Sequence, residues 1–108
     1  MSTPRPGRRV RGSRTGRPIM AALDLLGRRW ALRVLWELSR RPHTFRSLRE
    51  ACAGLSPSVL NTRLRELREA GVVERGEAGY ALSESGRQLC AALAPLEGWS
   101  RRWARSLE

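Results

Sequence analysis

The sequence predicts a mainly α-helical domain closed by one small β-hairpin, and three observations predict it. From Pro18 onward most of the chain repeats apolar residues on a 3.6-residue period, the mark of amphipathic helices. One stretch, Val72 to Leu82, breaks that period with a β-branched pair, a Gly-bounded reversal and a second short run. The length of 108 residues suits one domain with one small core. Residues 1–17 read as a disordered basic arm and residues 18–108 as the folded domain.

The arm carries Arg5, Arg8, Arg9, Arg11, Arg14 and Arg17 among Pro, Gly, Ser and Thr, too little apolar surface to offset its ordering entropy. It reads as a solvated tail that adds general electrostatic attraction, with an arm entering a minor groove as the more specific alternative. Pro18 to Leu26 predicts a short helix with Ile19, Ala22, Leu23 and Leu26 on one face, and Gly27 ends it. Arg28 to Arg40 predicts a second helix that buries Trp30, Ala31, Val34, Leu35 and Leu38 and stops at Pro42. His43 to Phe45 is a connector able to pair as an edge strand. A third helix then turns Phe45, Leu48 and Cys52 inward and Arg46, Arg49 and Glu50 outward.

Ser56 to Gly71 is the sharpest helix signal. Ser56 is a good N-cap, Pro57 suits the first helical position, and Gly71 can take the left-handed backbone that ends a helix. Val59, Leu60, Leu64 and Leu67 form the apolar stripe, while Ser58, Asn61, Thr62, Arg63, Arg65 and Arg68 make a polar face. The third helix, the turn Ala53-Gly54-Leu55 and this helix together read as a helix-turn-helix, whose polar face suits a DNA major groove. Val72-Val73 and Tyr80 to Leu82 then form a hairpin, or wing, with Arg75 and Glu77 at its tip. Ser83 caps a last helix bearing Leu89, Leu93, Leu96, Trp99, Trp103 and Leu107, which Pro95 and Gly98 should kink. The domain is too small to cover this stripe. Its expected cover is an identical chain, with folding back onto the first helix as the alternative.

Composition narrows the function. The formal net charge is +11, and all 21 basic residues are arginine, which favours a polyanionic partner, nucleic acid first and an anionic membrane second. No run reaches transmembrane length and no secretory core is present, so a cytoplasmic protein without a membrane partner is expected. Cys52 and Cys90 lack metal-site spacing, and His43 is the only histidine. Free thiols, no metal and no cofactor are therefore expected. With one Asp, one His and no catalytic constellation, the chain does not read as an enzyme.

Several local motifs, in order, resemble HxlR-type bacterial transcription regulators. Ala21-Ala22-Leu23-Asp24-Leu25-Leu26-Gly27-Arg28-Arg29-Trp30 resembles that family's A-L-D-L-I-G-G-K-W, and Phe45-Arg46-Ser47-Leu48-Arg49 its F-x-x-L-R. Leu55 to Leu67 is similar to I-S-x-x-x-L-x-x-R-L-x-x-L, and Tyr80-Ala81-Leu82-Ser83 with Gly86 to Y-x-L-T-x-x-G. Trp99 falls where the family often has tryptophan. The resemblance, from Pro18 to Trp99, implies a winged helix-turn-helix with a long C-terminal dimerisation helix. It further implies a homodimer through the terminal helices and sequence-specific binding of double-stranded DNA. On that analogy Ser56, Pro57, Ser58, Asn61, Thr62 and Arg63 face the groove. From the residues themselves, Arg46, Arg65 and Arg75 are further candidate DNA contacts, and Leu23 and Leu26 join Leu89, Leu93, Leu96, Trp99 and Trp103 as the candidate dimer interface. The family's cysteine-proline pair before the first helix is Arg17-Pro18 here, and the wing is shorter.

By side-chain chemistry, Asn61 suits adenine and Arg63 suits guanine or phosphate. Arg28, Arg29, Arg46 and Arg49 are candidates for backbone contacts. Pairing of Arg63 and Arg65 with Glu66 and Glu69 is the structural alternative. The expected function is a homodimeric regulator on an inverted repeat. The alternative is a winged-helix protein-interaction module that binds nucleic acid loosely. A small-molecule effector in an apolar crevice between the first and last helices is a third option, with no diagnostic polar group to name it.

Overall fold

Leu35, Leu48, Leu60, Leu64, Leu67 and Val34 are fully buried, and the chain folds around them. The computed structural model describes residues 3–7 and 17–108. Six helices and two strands follow in order: α1 (Pro18–Leu26), α2 (Ala31–Arg40), α3 (Phe45–Ala51), α4 (Pro57–Glu69), β1 (Val73–Gly76), β2 (Gly79–Leu82), α5 (Glu84–Leu93) and α6 (Pro95–Ser106). The mainly helical architecture with a small hairpin is thus the one the sequence predicts.

The signals at the ends of α4 act as expected. The Ser56 hydroxyl accepts from the Val59 N–H at 3.3 Å. At the other end Gly71 takes φ +80°. Its N–H donates to Arg68 O and the Val72 N–H to Leu67 O, both at 3.0 Å. That pair of bonds closes the helix and satisfies two terminal carbonyls. The chain then enters the hairpin, where Val73 pairs with Leu82 and Gly76 with Gly79. The connector does pair: His43 and Tyr80 exchange backbone bonds of 2.9 and 2.7 Å across an antiparallel bridge. Ser83 then accepts from the Gly86 N–H at 3.0 Å and donates to Gly71 O at 2.6 Å, tying the start of α5 to the end of α4.

Four details differ from the sequence expectation. Helix α2 starts at Ala31 rather than Arg28, because Trp30 has a left-handed backbone, φ +76°. It is α1's Ala21 and Leu25 that are buried, while Ile19 and Leu23 stay 58% and 54% exposed. Arg75 is a strand residue opposite Tyr80, so the hairpin tip is Glu77-Ala78. The last helix is two, α5 and α6, separated at Ala94, with Pro95 opening the second as the expected kink.

Part of the arm lies on the domain. Pro4 is buried, and the Thr3 hydroxyl donates to the Glu69 carboxylate at 2.6 Å. Residues 1, 2 and 8–16 of the arm lie outside the described residues.

A Cβ on Gly86 would overlap the Val72 carbonyl. Gly86→Ala should therefore cost about 1–3 kcal/mol and lower the melting temperature by several degrees; an unchanged melting curve would show that the α4–α5 approach is slack. His43 is buried, with its Nδ1 2.9 Å from Ser47 Oγ. Burial first, then the Arg41 charge, hold the imidazole below its ordinary 6.5, against the opposing influence of Glu37. The fold therefore favours the neutral ring. Its stabilisation is complete above pH 6.5 and declines as pH falls below that value towards the lower folded-state value. Chemical denaturation at stepped pH should show this decline, and His43→Gln should flatten it.

Candidate nucleic-acid interface

The helix-turn-helix is held by polar bonds at its corner and apolar contacts beneath. Thr44 caps α3 by accepting from the Ser47 N–H at 3.0 Å. Ala53 and Gly54 take left-handed backbone, φ +58° and +77°, to turn the chain. Arg49 Nε donates to Leu55 O at 2.7 Å and pins that turn. Below it Leu60, Leu64 and Leu67 anchor α4 in the core, with Val59 half-buried at its edge.

This anchoring leaves Pro57, Ser58, Asn61, Arg65 and Arg68 exposed on α4. Ser56 is exposed as well, but its hydroxyl serves as the helix cap. Thr62 is half-buried and donates to Ser58 O at 3.0 Å. Arg65 reaches Glu69 at 3.4 Å. Arg46 on α3, its side chain 91% exposed, reaches Glu50 at 3.4 Å. Such exposed pairs are weak enough to yield to a phosphate. Arg75 lies with its guanidinium 5.5 Å from the Tyr80 ring centroid. Together Arg65, Arg68 and Arg75 line a shallow groove between α4 and β1. The sequence pattern did not group these three arginines; the hairpin brings them together.

Arg63 is placed differently. Its Nε donates to Arg29 O at 2.7 Å, and its Nη1 pairs with Glu66 Oε1 at 2.7 Å. Glu66 is buried, and its other oxygen accepts from Arg28, which also reaches Asp24 at 3.5 Å. These bonds draw Arg63 away from the base-reading role its position in the motif suggests, and realise its pairing with Glu66 instead. Arg28 is likewise turned inward, not outward as a backbone contact. A signal was available: at ~100° per residue Arg63 falls about 60° from Leu60 and 40° from Leu67, on the flank of the apolar stripe. Ser58 and Arg65 fall on the far side, with Asn61 and Arg68 on the opposite flank, about 60° and 40° from Leu64.

The apolar residues expected at a dimer interface divide in two. Leu26 and Leu89 pack partly against the core, and Leu93 is half-buried. Leu23, Leu96, Trp99 and Trp103 are each about half exposed, at 54%, 52%, 50% and 51%. The Trp99 and Trp103 rings stack 5.5 Å apart and nearly parallel, at 9°. No residue of α6 is buried, and Leu96, Glu97, Ser100 and Arg101 face α2 across an open cleft.

A crevice of about 490 Å³ does lie between α1 and α5, lined by Ala21, Leu25, Leu26 and Leu89. Pro4 and Pro6 of the N-terminal segment form part of its wall. Cys52 is buried and Cys90 half-buried, and burial raises both thiols above their ordinary range. Fewer thiolates form as a result, the opposite of an activated nucleophile. Among the described residues no three of His, Cys, Asp and Glu are grouped to hold a metal ion. Nor, among the described residues, is any helix long and apolar enough to cross a membrane.

Comparison with known proteins places this geometry. A family model described as HxlR-like helix-turn-helix matches residues 25–108. The HTH-type transcriptional regulator YvaP of Bacillus subtilis, itself uncharacterised, is 30% identical over 76% of this chain and 82% of its own length. YodB, another HTH-type transcriptional regulator of Bacillus subtilis, is 30% identical over 74% of this chain and 78% of its own. The crystal structure of quinone-bound YodB superposes with a TM-score of 0.72 at 31% identity, covering 78% of this chain and 96% of that one. A possible HxlR family factor from Thermoplasma volcanium superposes with a TM-score of 0.71 at 29% identity, covering 82% and 85%.

The burial difference between the two α4 ion pairs is measurable. Glu66→Ala would leave two guanidinium groups without their buried carboxylate and should cost about 3 kcal/mol or more. Arg65→Ala breaks only an exposed pair and should cost about 0–1 kcal/mol. Equal losses in urea unfolding would contradict this account of the cluster.

Proposed function

The chain belongs to the HxlR-like helix-turn-helix family of DNA-binding transcription regulators, and from that premise we propose that it acts in the cytoplasm as a sequence-specific homodimer on an inverted-repeat operator. One observation carries this reading: a capped helix at the end of a helix-turn-helix presents Ser58, Asn61, Arg65 and Arg68 on one uncovered face.

In this reading each α4 enters a major groove with its N-terminus towards a phosphate, which its free N–H groups receive. Ser58 and Asn61 meet base edges, with Asn61 suited to the paired donor and acceptor of adenine. Ser56, Pro57 and Thr62 shape the start of the helix against the groove. Arg65, Arg68 and Arg75 line the α4–β1 groove and grip the sugar-phosphate chain, with Arg46 beside them on α3. These contacts fix register without reading sequence. The half-exposed Leu23, Leu96, Trp99 and Trp103 are apolar surface of the kind that a second copy covers. Two copies related by a twofold axis would place the helices about 34 Å apart, one turn of DNA.

Sequencing of the fragments bound by the purified full chain from a random pool should enrich one inverted repeat. Asn61→Ala should then cost about 1–3 kcal/mol and relax one position in each half-site, while Arg68→Ala should weaken all sequences alike and reduce the salt dependence. If no motif enriches and all binding fades together as salt rises, the chain is a loosely specific nucleic-acid module instead.

A further inference from the structure

We propose that the cluster Asp24, Arg28, Glu66 and Arg63 is the joint that sets the position of the recognition helix relative to α1, so that Arg28, Glu66 and Arg63 are positioning residues for DNA reading. The inference rests on the dimer reading above and adds how the two half-site readers keep their spacing.

The first ground is the burial of the charges. The side chains of Asp24, Arg28 and Glu66 are only 11%, 9% and 6% exposed, and that of Arg63 20%. Ions so placed hold one another tightly, because loss of a partner leaves a charge out of water. The second ground is the direction of the bonds. Glu66 on α4 accepts from Arg28, while Arg63 on α4 donates to the backbone carbonyl of Arg29. Two bonds running opposite ways between the same two segments fix rotation as well as distance. The leucine stripe of α4 lacks this directional precision, since apolar contacts tolerate sliding.

The third ground is what else these segments carry. Asp24 extends the cluster onto α1, whose exposed Ile19 and Leu23 lie on another face of the same helix. The bonded turn also holds Trp30 in its left-handed backbone. An α1 seated on a second copy through Leu23 would therefore carry α4 with it as one body. A cluster loosened at Glu66 would leave the dimer intact but let each reading helix shift.

The test uses the full chain and duplexes with two enriched half-sites at the preferred spacing and at two base pairs more or less. Glu66→Gln and the double variant R28L/E66L are compared with the wild type. The double replacement exchanges the two most buried ions for apolar side chains and leaves only Asp24 and Arg63, the more exposed members, so at least one of the two variants should remain folded. In a folded, dimeric variant the preference for the best spacing should shrink about tenfold, within the range for residues sharing one network. Affinity for a lone half-site should change far less. An unchanged spacing preference in such a variant overturns the proposal.

If the wild type itself shows no spacing preference, the dimer reading fails and amide hydrogen exchange decides on the joint. The Ala31 and Val34 amides, bonded to Arg28 O and Trp30 O, should then exchange about tenfold faster in Glu66→Gln than in the wild type, with Leu64 unchanged. Equal exchange at Ala31 in both proteins would overturn the joint.

Discussion

Glu66 sits in a helix that also carries three fully buried leucines, yet its carboxylate is as hidden as some of the core itself. A buried carboxylate is costly unless its charge and its lone pairs are answered, and here one oxygen takes Arg28 and the other Arg63. Much of the molecule follows from that requirement. Arg28 must lie close to α4, so the chain leaving α1 turns tightly rather than running straight into α2. Trp30 accepts a backbone that L-residues rarely adopt, a strain of order 1–3 kcal/mol that persists only where the surroundings over-determine it. Arg63 then closes on the carbonyl of that turn. The segment before the core and the helix after the turn are held by one ionic group.

The apolar core and this ionic group do different work. Leu48, Leu60, Leu64 and Leu67, with Val34 and Leu35, bring α2, α3 and α4 together and supply the bulk of the stabilisation. The hairpin extends the same logic. Tyr80 is buried, bonds to His43 on one side and pairs with Arg75 on the other, so the wing is continuous with the entry to α3. Its two-residue tip brings no arginine of its own. The arginines that line the groove come from the α4 shaft and from β1, at the base of the hairpin. The proposed DNA-facing side is thus concentrated on one helix and its immediate flank.

The elements with strong local chemistry were legible in the sequence. Ser56, Pro57 and Gly71 bound α4, Ser83 caps α5, and Pro95 opens α6, each because a cap, a fixed φ or a left-handed glycine acts within one turn of chain. The pairing of the His43 connector was legible too. What escaped depended on distant partners. Arg63 looks like an outward arginine in a motif until its angular place beside the leucines is drawn and Arg29 is folded against it. Trp30 looks helical by spacing, but it takes a left-handed backbone beside an ion pair whose members lie 38 residues apart in sequence. The grouping of Arg65, Arg68 and Arg75 depends on hairpin register, and burial of Pro4 on a crevice made by three helices. On the candidate site, residue types were therefore readable, but their division into exposed and inward-bonded side chains was not.

A crystal structure of the full chain on a duplex that it selects would separate the outer face of α4 from the clamped one. Asn61 and Ser58 should lie at base edges, Arg65 and Arg68 at the sugar-phosphate chain, and Arg63 still bonded to Glu66 near its present 2.7 Å. An Arg63 released from Glu66 and seated on a guanine, with Asn61 in solvent, would contradict this placement.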